Sequence, residues 1–102
     1  MILRFGVFEA DTKSKELFKR GRKVRIQPLA FKLLVLLLEH KGSVVTTEEI
    51  KKHLWHDTHV EPHSLAVAAL KVRRAIGEHA DSPRFMECLP GVGYRWIAYH
   101  ND

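Results

Sequence analysis

Residues 33 to 38 read Leu33-Leu34-Val35-Leu36-Leu37-Leu38, an unbroken apolar run made almost wholly of leucine. They sit in a stretch from Leu29 to His40 that holds neither glycine nor proline, with Pro28 before it and Gly42 after it. Proline at the first helical position sacrifices an N–H that would have no partner there. Glycine just past a helix accepts the left-handed conformation that closes it. The segment therefore reads as a helix. At about 100° per residue the five leucines cover most of its circumference, so the helix must be the buried centre of whatever surrounds it. It falls short of the ~20 apolar residues that cross a bilayer. It is also too short and too evenly apolar for a coiled-coil seam. In a chain of 102 residues, everything else has to pack around this rod, and a single domain spanning 1–102 is expected.

The flanking segments supply two kinds of layer. Leu3, Phe5 and Val7 alternate with Arg4, Gly6 and Phe8, as in a strand. Asp11-Thr12-Lys13-Ser14 is a turn cluster, Glu16 to Lys19 a second strand, Arg20-Gly21-Arg22 a turn, and Lys23 to Ile26 a third strand. Such a small antiparallel sheet needs a helical layer over it. Thr46-x-x-Glu49 is a capping box that opens a second helix carrying Ile50, Leu54 and Trp55. His56-Asp57-Thr58-His59 breaks it. Pro62 opens a third helix that runs to about Ile76 and stops at Gly77. After a polar loop from His79 to Arg84, Phe85 to Leu89 and Tyr94 to Ala98 flank the turn Pro90-Gly91-Val92-Gly93 and form a hairpin. The expected class is α+β: an N-terminal antiparallel sheet, three helices and a C-terminal β-hairpin.

Composition narrows the function. Seventeen Lys and Arg against twelve Asp and Glu leave a net charge of +5, with a pI near 9.6. A surplus of this sign favours a polyanionic partner. The one cysteine, Cys88, cannot form an internal disulfide, and its apolar strand setting suggests a packed thiol. Met1 is not followed by a basic segment and an apolar one, so a soluble, cytoplasmic chain is expected. No spacing motivates a Ser/His/Asp or Cys/His arrangement, and an enzyme is not expected. Gly91-x-Gly93 is a turn, since a phosphate-cradling loop needs a strand before it and a helix after it. His53, His56, His59 and His63, with Asp57 and Glu61 among them, have spacings that can serve Zn²⁺. Here they read as a solvated histidine-rich turn instead. Neither a metal, a cofactor nor a small-molecule substrate is expected.

The third helix is the most informative element. Leu65, Ala69, Val72 and Ile76 share one narrow sector, its core face. The other side presents His63, Val67, Lys71 and Arg74, with Ala66 and Leu70 on one flank, Ser64 at the N-terminal edge and Arg73 at a boundary. On periodicity and charge alone, a solvated amphipathic helix is the more economical reading. A basic helix that follows another across a short turn can also enter a DNA major groove. The hairpin favours the second reading, because Arg95 near its tip could reach a narrow, strongly negative minor groove while Tyr94 and Trp96 face the core.

Taken together these strings resemble the winged-helix DNA-binding domain of OmpR/PhoB-type transcriptional regulators. The resemblance rests on Ile26-Gln27-Pro28-Leu29-Ala30-Phe31-Lys32-Leu33-Leu34, Val44-Val45-Thr46-Thr47-Glu48-Glu49-Ile50, Leu54-Trp55, Val60 to Val67, Lys71 to Gly77 and Leu89 to Trp96. It spans roughly Phe5 to Ile97. It implies a winged helix-turn-helix that binds double-stranded DNA and regulates transcription in a bacterial phosphorelay. It further implies base-edge contacts by Val67 and Lys71, phosphate contacts by Trp55, His63, Ser64, Arg73 and Arg74, and a minor-groove contact by Arg95. RNA polymerase and a second copy on tandem half-sites are further partners it suggests. The chain departs from the family where Leu70 stands in place of a common arginine and Ala68 in place of a polar residue. A protein-docking winged helix without specific DNA binding is the alternative these losses raise.

Overall fold

The computed structural model describes residues 1–56 and 58–97, so Asp57 and the expected strand end at Ala98 lie outside the described residues. The chain opens with four antiparallel strands in sequential order: β1 (Ile2–Phe5), β2 (Phe8–Asp11), β3 (Glu16–Lys19) and β4 (Arg22–Val24). Three helices follow, α1 (Pro28–Glu39), α2 (Thr47–Trp55) and α3 (Ser64–Ile76), with a short strand β5 (Val44–Thr46) between the first two. The C-terminal strands β6 (Met86–Leu89) and β7 (Gly93–Trp96) pair with each other and with β5 in the order β5-β7-β6.

Two expectations about strands are corrected. The first apolar alternation is two strands rather than one. Gly6, at φ +55°, turns the chain with Val7, so that Phe5 pairs with Phe8. The turn reverses the alternation, puts both phenylalanines on the core side and leaves Val7 in water. The C-terminal hairpin likewise becomes a three-stranded sheet, because Val44-Val45-Thr46 pairs with Arg95-Tyr94-Gly93. That pairing explains Gly93. A Cβ there would overlap the Val45 carbonyl oxygen, so the two backbones can approach only without one.

α1 is the central rod. Leu33, Leu34, Leu36, Leu37 and Leu38 are all buried, and α1 packs against α2, α3 and β7. An aromatic cluster joins the two sheets. Phe5 stacks on Phe8 at 5.0 Å between ring centroids and meets Trp96 edge-on at 5.1 Å. Phe85 stacks on Trp96 at 5.5 Å. Trp96 is thus a core residue, 1% exposed. Cys88 is not: its thiol is exposed. It shares a strand face with buried Met86, but the hairpin has already run past the core at that point. Tyr94 lies opposite it in register, and burial, followed by the nearby Cys88, pushes the Tyr94 phenol above its ordinary value.

Candidate nucleic-acid interface

Three elements converge on one face. The N-terminal turn of α1, the C-terminal residue of α2 and the first two turns of α3 enclose an open concavity of about 470 Å³. Trp55, His63, Ser64, Val67 and Lys71 all line it, together with Gln27 to Ala30 and Ala68. Five of the residues singled out in the sequence are therefore brought together. Trp55 is half-buried at the end of α2, His63 is exposed, Ser64 and Val67 are half-buried, and Lys71 is exposed.

The local sequence explains this placement. The capping box fixes the start of α2: the Thr46 hydroxyl accepts the Glu49 N–H at 3.2 Å, and Glu49 Oε1 accepts the Thr46 N–H at 2.9 Å. The Thr46 N–H, followed by the Thr46 hydroxyl donating to the same Oε1 at 3.0 Å, holds the Glu49 carboxyl below its ordinary value. α2 ends at His56, which adopts φ +55°. The chain then crosses to α3, where the Ser64 N–H donates to the Glu61 carbonyl and the Val67 N–H to the His63 carbonyl. Helix α3 buries Leu65, Ala69, Val72 and Ile76, the sector expected to face the core, together with Ala68 and Arg73. It closes on Gly77 at φ +70°, with the Glu78 N–H bonded to the Arg73 carbonyl at 2.9 Å. This is a Schellman closure.

Arg73 requires a correction. The expectation of a phosphate contact fails because its side chain is only 6% exposed, and Nη1 pairs at 3.2 Å with Glu78 Oε2, on a side chain 2% exposed. The same carboxylate accepts backbone N–H groups from Arg84 at 2.8 Å, Phe85 at 2.7 Å and Met86 at 2.9 Å. The group is a clamp that ties the end of α3 to the root of β6. Its sequence signal was Glu78 directly after Gly77, since a Schellman turn carries that residue back toward the position five earlier. Arg74, by contrast, is exposed.

Arg95 lies on central strand β7, opposite Val44 on one side and Glu87 on the other. Its Nε and Nη2 donate to Glu87 Oε1 at 2.9 and 2.6 Å, with both side chains a little over one-third exposed. The hairpin tip is held at the start of α2, where the Thr47 N–H donates to the Val92 carbonyl at 2.9 Å. Among the described residues, no three His, Cys, Asp or Glu side chains group closely enough to hold a metal ion. No helix among them is long and apolar enough to cross a membrane.

This architecture is shared. A family model described as "Transcriptional regulatory protein, C terminal" matches residues 21–96. The chain belongs to that family. As an OmpR/PhoB-type winged-helix domain it is 31% identical over 75 residues to the regulatory protein VanRc of Enterococcus gallinarum, covering 72% of this chain and 32% of VanRc. The response regulator DrrB of Thermotoga maritima, an OmpR/PhoB homologue, superposes with a TM-score of 0.85 at 27% identity, over 95% of this chain and 44% of DrrB. The DNA-binding domain of Klebsiella pneumoniae RstA, solved in complex with the RstA box, superposes at 0.84 with 22% identity, covering 94% and 96% of the two chains. The OmpR/PhoB-type domain spans less than half the length of the curated relatives it matches.

Proposed function

We propose that this domain binds specific sites in double-stranded DNA and so regulates transcription, with α3 in the major groove and the β6–β7 wing at the minor groove. One observation carries the reading: Trp55, His63, Ser64, Val67 and Lys71, from two helices and the turn between them, line a single open face. Val67 and Lys71 sample base edges from α3. Trp55 through its indole N–H, with His63, Ser64 and Arg74, holds phosphates and sets the register. Arg95 leaves Glu87 for the minor groove, where narrow A·T tracts deepen the negative potential. Arg73 has no part in this set. In the whole regulator, RNA polymerase and a second copy on tandem half-sites are partners of the same reading, and a cytoplasmic phosphorelay supplies its signal.

The test is selection from random duplexes, followed by titration of the recovered site at several salt concentrations. Wild type enriches a motif, and its log–log salt slope is about −3 to −4, set by the cations Lys71, Arg74, Arg95 and protonated His63 and not by the neutral Trp55 and Ser64 contacts. Lys71→Ala loses about 1–3 kcal/mol of discrimination at one position. Equal binding of all duplexes by wild type and Lys71→Ala would remove Lys71 from base reading. No binding of random duplex even at low salt would leave the domain a protein-docking module.

A further inference from the structure

The outward face of α3 is apolar along its middle. Ala66, Val67 and Leu70 lie between His63 and Arg74 at spacings of three and four residues, which stack side chains on one helical face. Leu70 is 46% exposed, the only large apolar side chain of the three helices that stands in water among the described residues. A single exposed leucine on a surface is ordinary. This one differs in its setting, since it continues a stripe of smaller apolar side chains flanked by His63, Lys71 and Arg74. Those cations border the stripe on the same face, all of one sign, so a polyanion that also offers an apolar group is complementary to the whole face. In the major groove the one apolar group on a base edge is the C5-methyl of thymine. Leucine has neither donor nor acceptor, so it can distinguish bases there only through that methyl.

We propose that Leu70, with Ala66 beside it, reads thymine by contact with C5-methyl groups, so that the preferred site carries thymine next to the base read by Lys71. The inference rests on the DNA-binding reading above and assigns part of its specificity. It is tested by replacing thymines one at a time with deoxyuridine in the site recovered by selection. Each replacement removes a methyl and leaves every hydrogen-bonding group in place. Burial of one such carbon predicts a loss of about three- to five-fold in affinity at the thymines Leu70 touches. Leu70→Ala binds the parent site more weakly and loses the deoxyuridine penalty at those positions. Because Leu70 is exposed, the variant keeps the helical circular dichroism of wild type. Specific binding to which no deoxyuridine matters, or a penalty that survives Leu70→Ala, overturns the inference and leaves the DNA-binding reading intact. Specific binding to a site that lacks thymine beside the base read by Lys71 likewise overturns only the inference, whereas failure of wild type to prefer any duplex overturns both.

Discussion

Replacing Arg73 separates two roles that a cation on α3 can have. A phosphate contact in free solvent would leave folding stability within about 0.5 kcal/mol and would flatten the log–log salt slope by about 0.9. The buried clamp requires the reverse. Removing the guanidinium strands the Glu78 carboxylate, whose side chain is 2% exposed, without a counter-charge. Breaking a buried pair from one side costs about 3–5 kcal/mol. The three backbone N–H groups that still point at the carboxylate place this case at the lower end. At about 4–8 °C per kcal/mol for a domain of this size, Tm falls by at least about 12 °C. Glu78→Ala is more damaging, because it orphans those N–H groups as well as the guanidinium, at about 1–3 kcal/mol for each group left buried.

Urea unfolding followed by circular dichroism measures the effect, with Arg73→Met as the informative variant. Methionine keeps most of the packing of the arginine stem and removes only the charged head. Arg73→Met and Arg73→Ala should both shift the midpoint strongly with little change in m-value, while folded protein keeps the wild-type salt slope on DNA. A double variant lacking both charges should cost less than the sum of its parts, because the two groups act as one unit. A midpoint within about 0.5 kcal/mol of wild type, accompanied by a flatter salt slope, would refute the burial argument and return Arg73 to the interface.

Four further outcomes follow from the geometry. Gly93→Ala forces β5 away from β7, because its Cβ would overlap the Val45 carbonyl; a loss of at least about 3 kcal/mol is expected, read as the same urea midpoint. Thr46→Ala removes the cap of α2 at a cost of about 1 kcal/mol. The hydrogen bonds that depress the Glu49 and Asp11 carboxyls stabilise the fold above the ordinary carboxylate values and lose that effect as pH falls through the depressed ones. The advantage of wild type over an Asp11→Asn/Glu49→Gln variant should therefore shrink in acid, and parallel stability–pH curves would count against it. Glu87→Gln releases Arg95 from a half-exposed pair worth about 0–1 kcal/mol in stability. It should tighten duplex binding, most on A·T-rich sites, whereas Arg95→Ala weakens it; titration of both variants on one duplex decides.

What could be read from the sequence was whatever one element decides by itself. The leucine run fixed α1, Thr46-x-x-Glu49 fixed the start of α2, and the sector Leu65, Ala69, Val72, Ile76 fixed which side of α3 is buried. Features that depend on a second segment were hidden. Nothing local distinguishes a strand from Leu3 to Phe8 from two strands about Gly6-Val7 until Phe5 has to meet Trp96 and Phe8 to stack on Phe5. Val44 to Thr46 is too short to declare itself, and becomes a strand only because Gly93 lets β7 approach. Cys88 sits in an apolar string, but its exposure depends on where the hairpin leaves the core.

The candidate site follows the same division. Lys71 and Val67 face outward because the four opposite side chains are fixed by packing on α1, so a periodic pattern was enough to place them. Arg73 lies at the edge of that pattern, where periodicity favours neither side, and the balance is settled by Glu78 arriving through the Gly77 turn with the N–H groups of Arg84, Phe85 and Met86. Solvation of a guanidinium is worth more than an ordinary exposed ion pair, so only a pre-formed, fully hydrogen-bonded carboxylate could draw it inward. The charge drawn inward thereby fastens the root of β6 to the end of α3, and under the proposed reading that joint holds α3 and the Arg95 strand in the one relative placement that a single duplex requires.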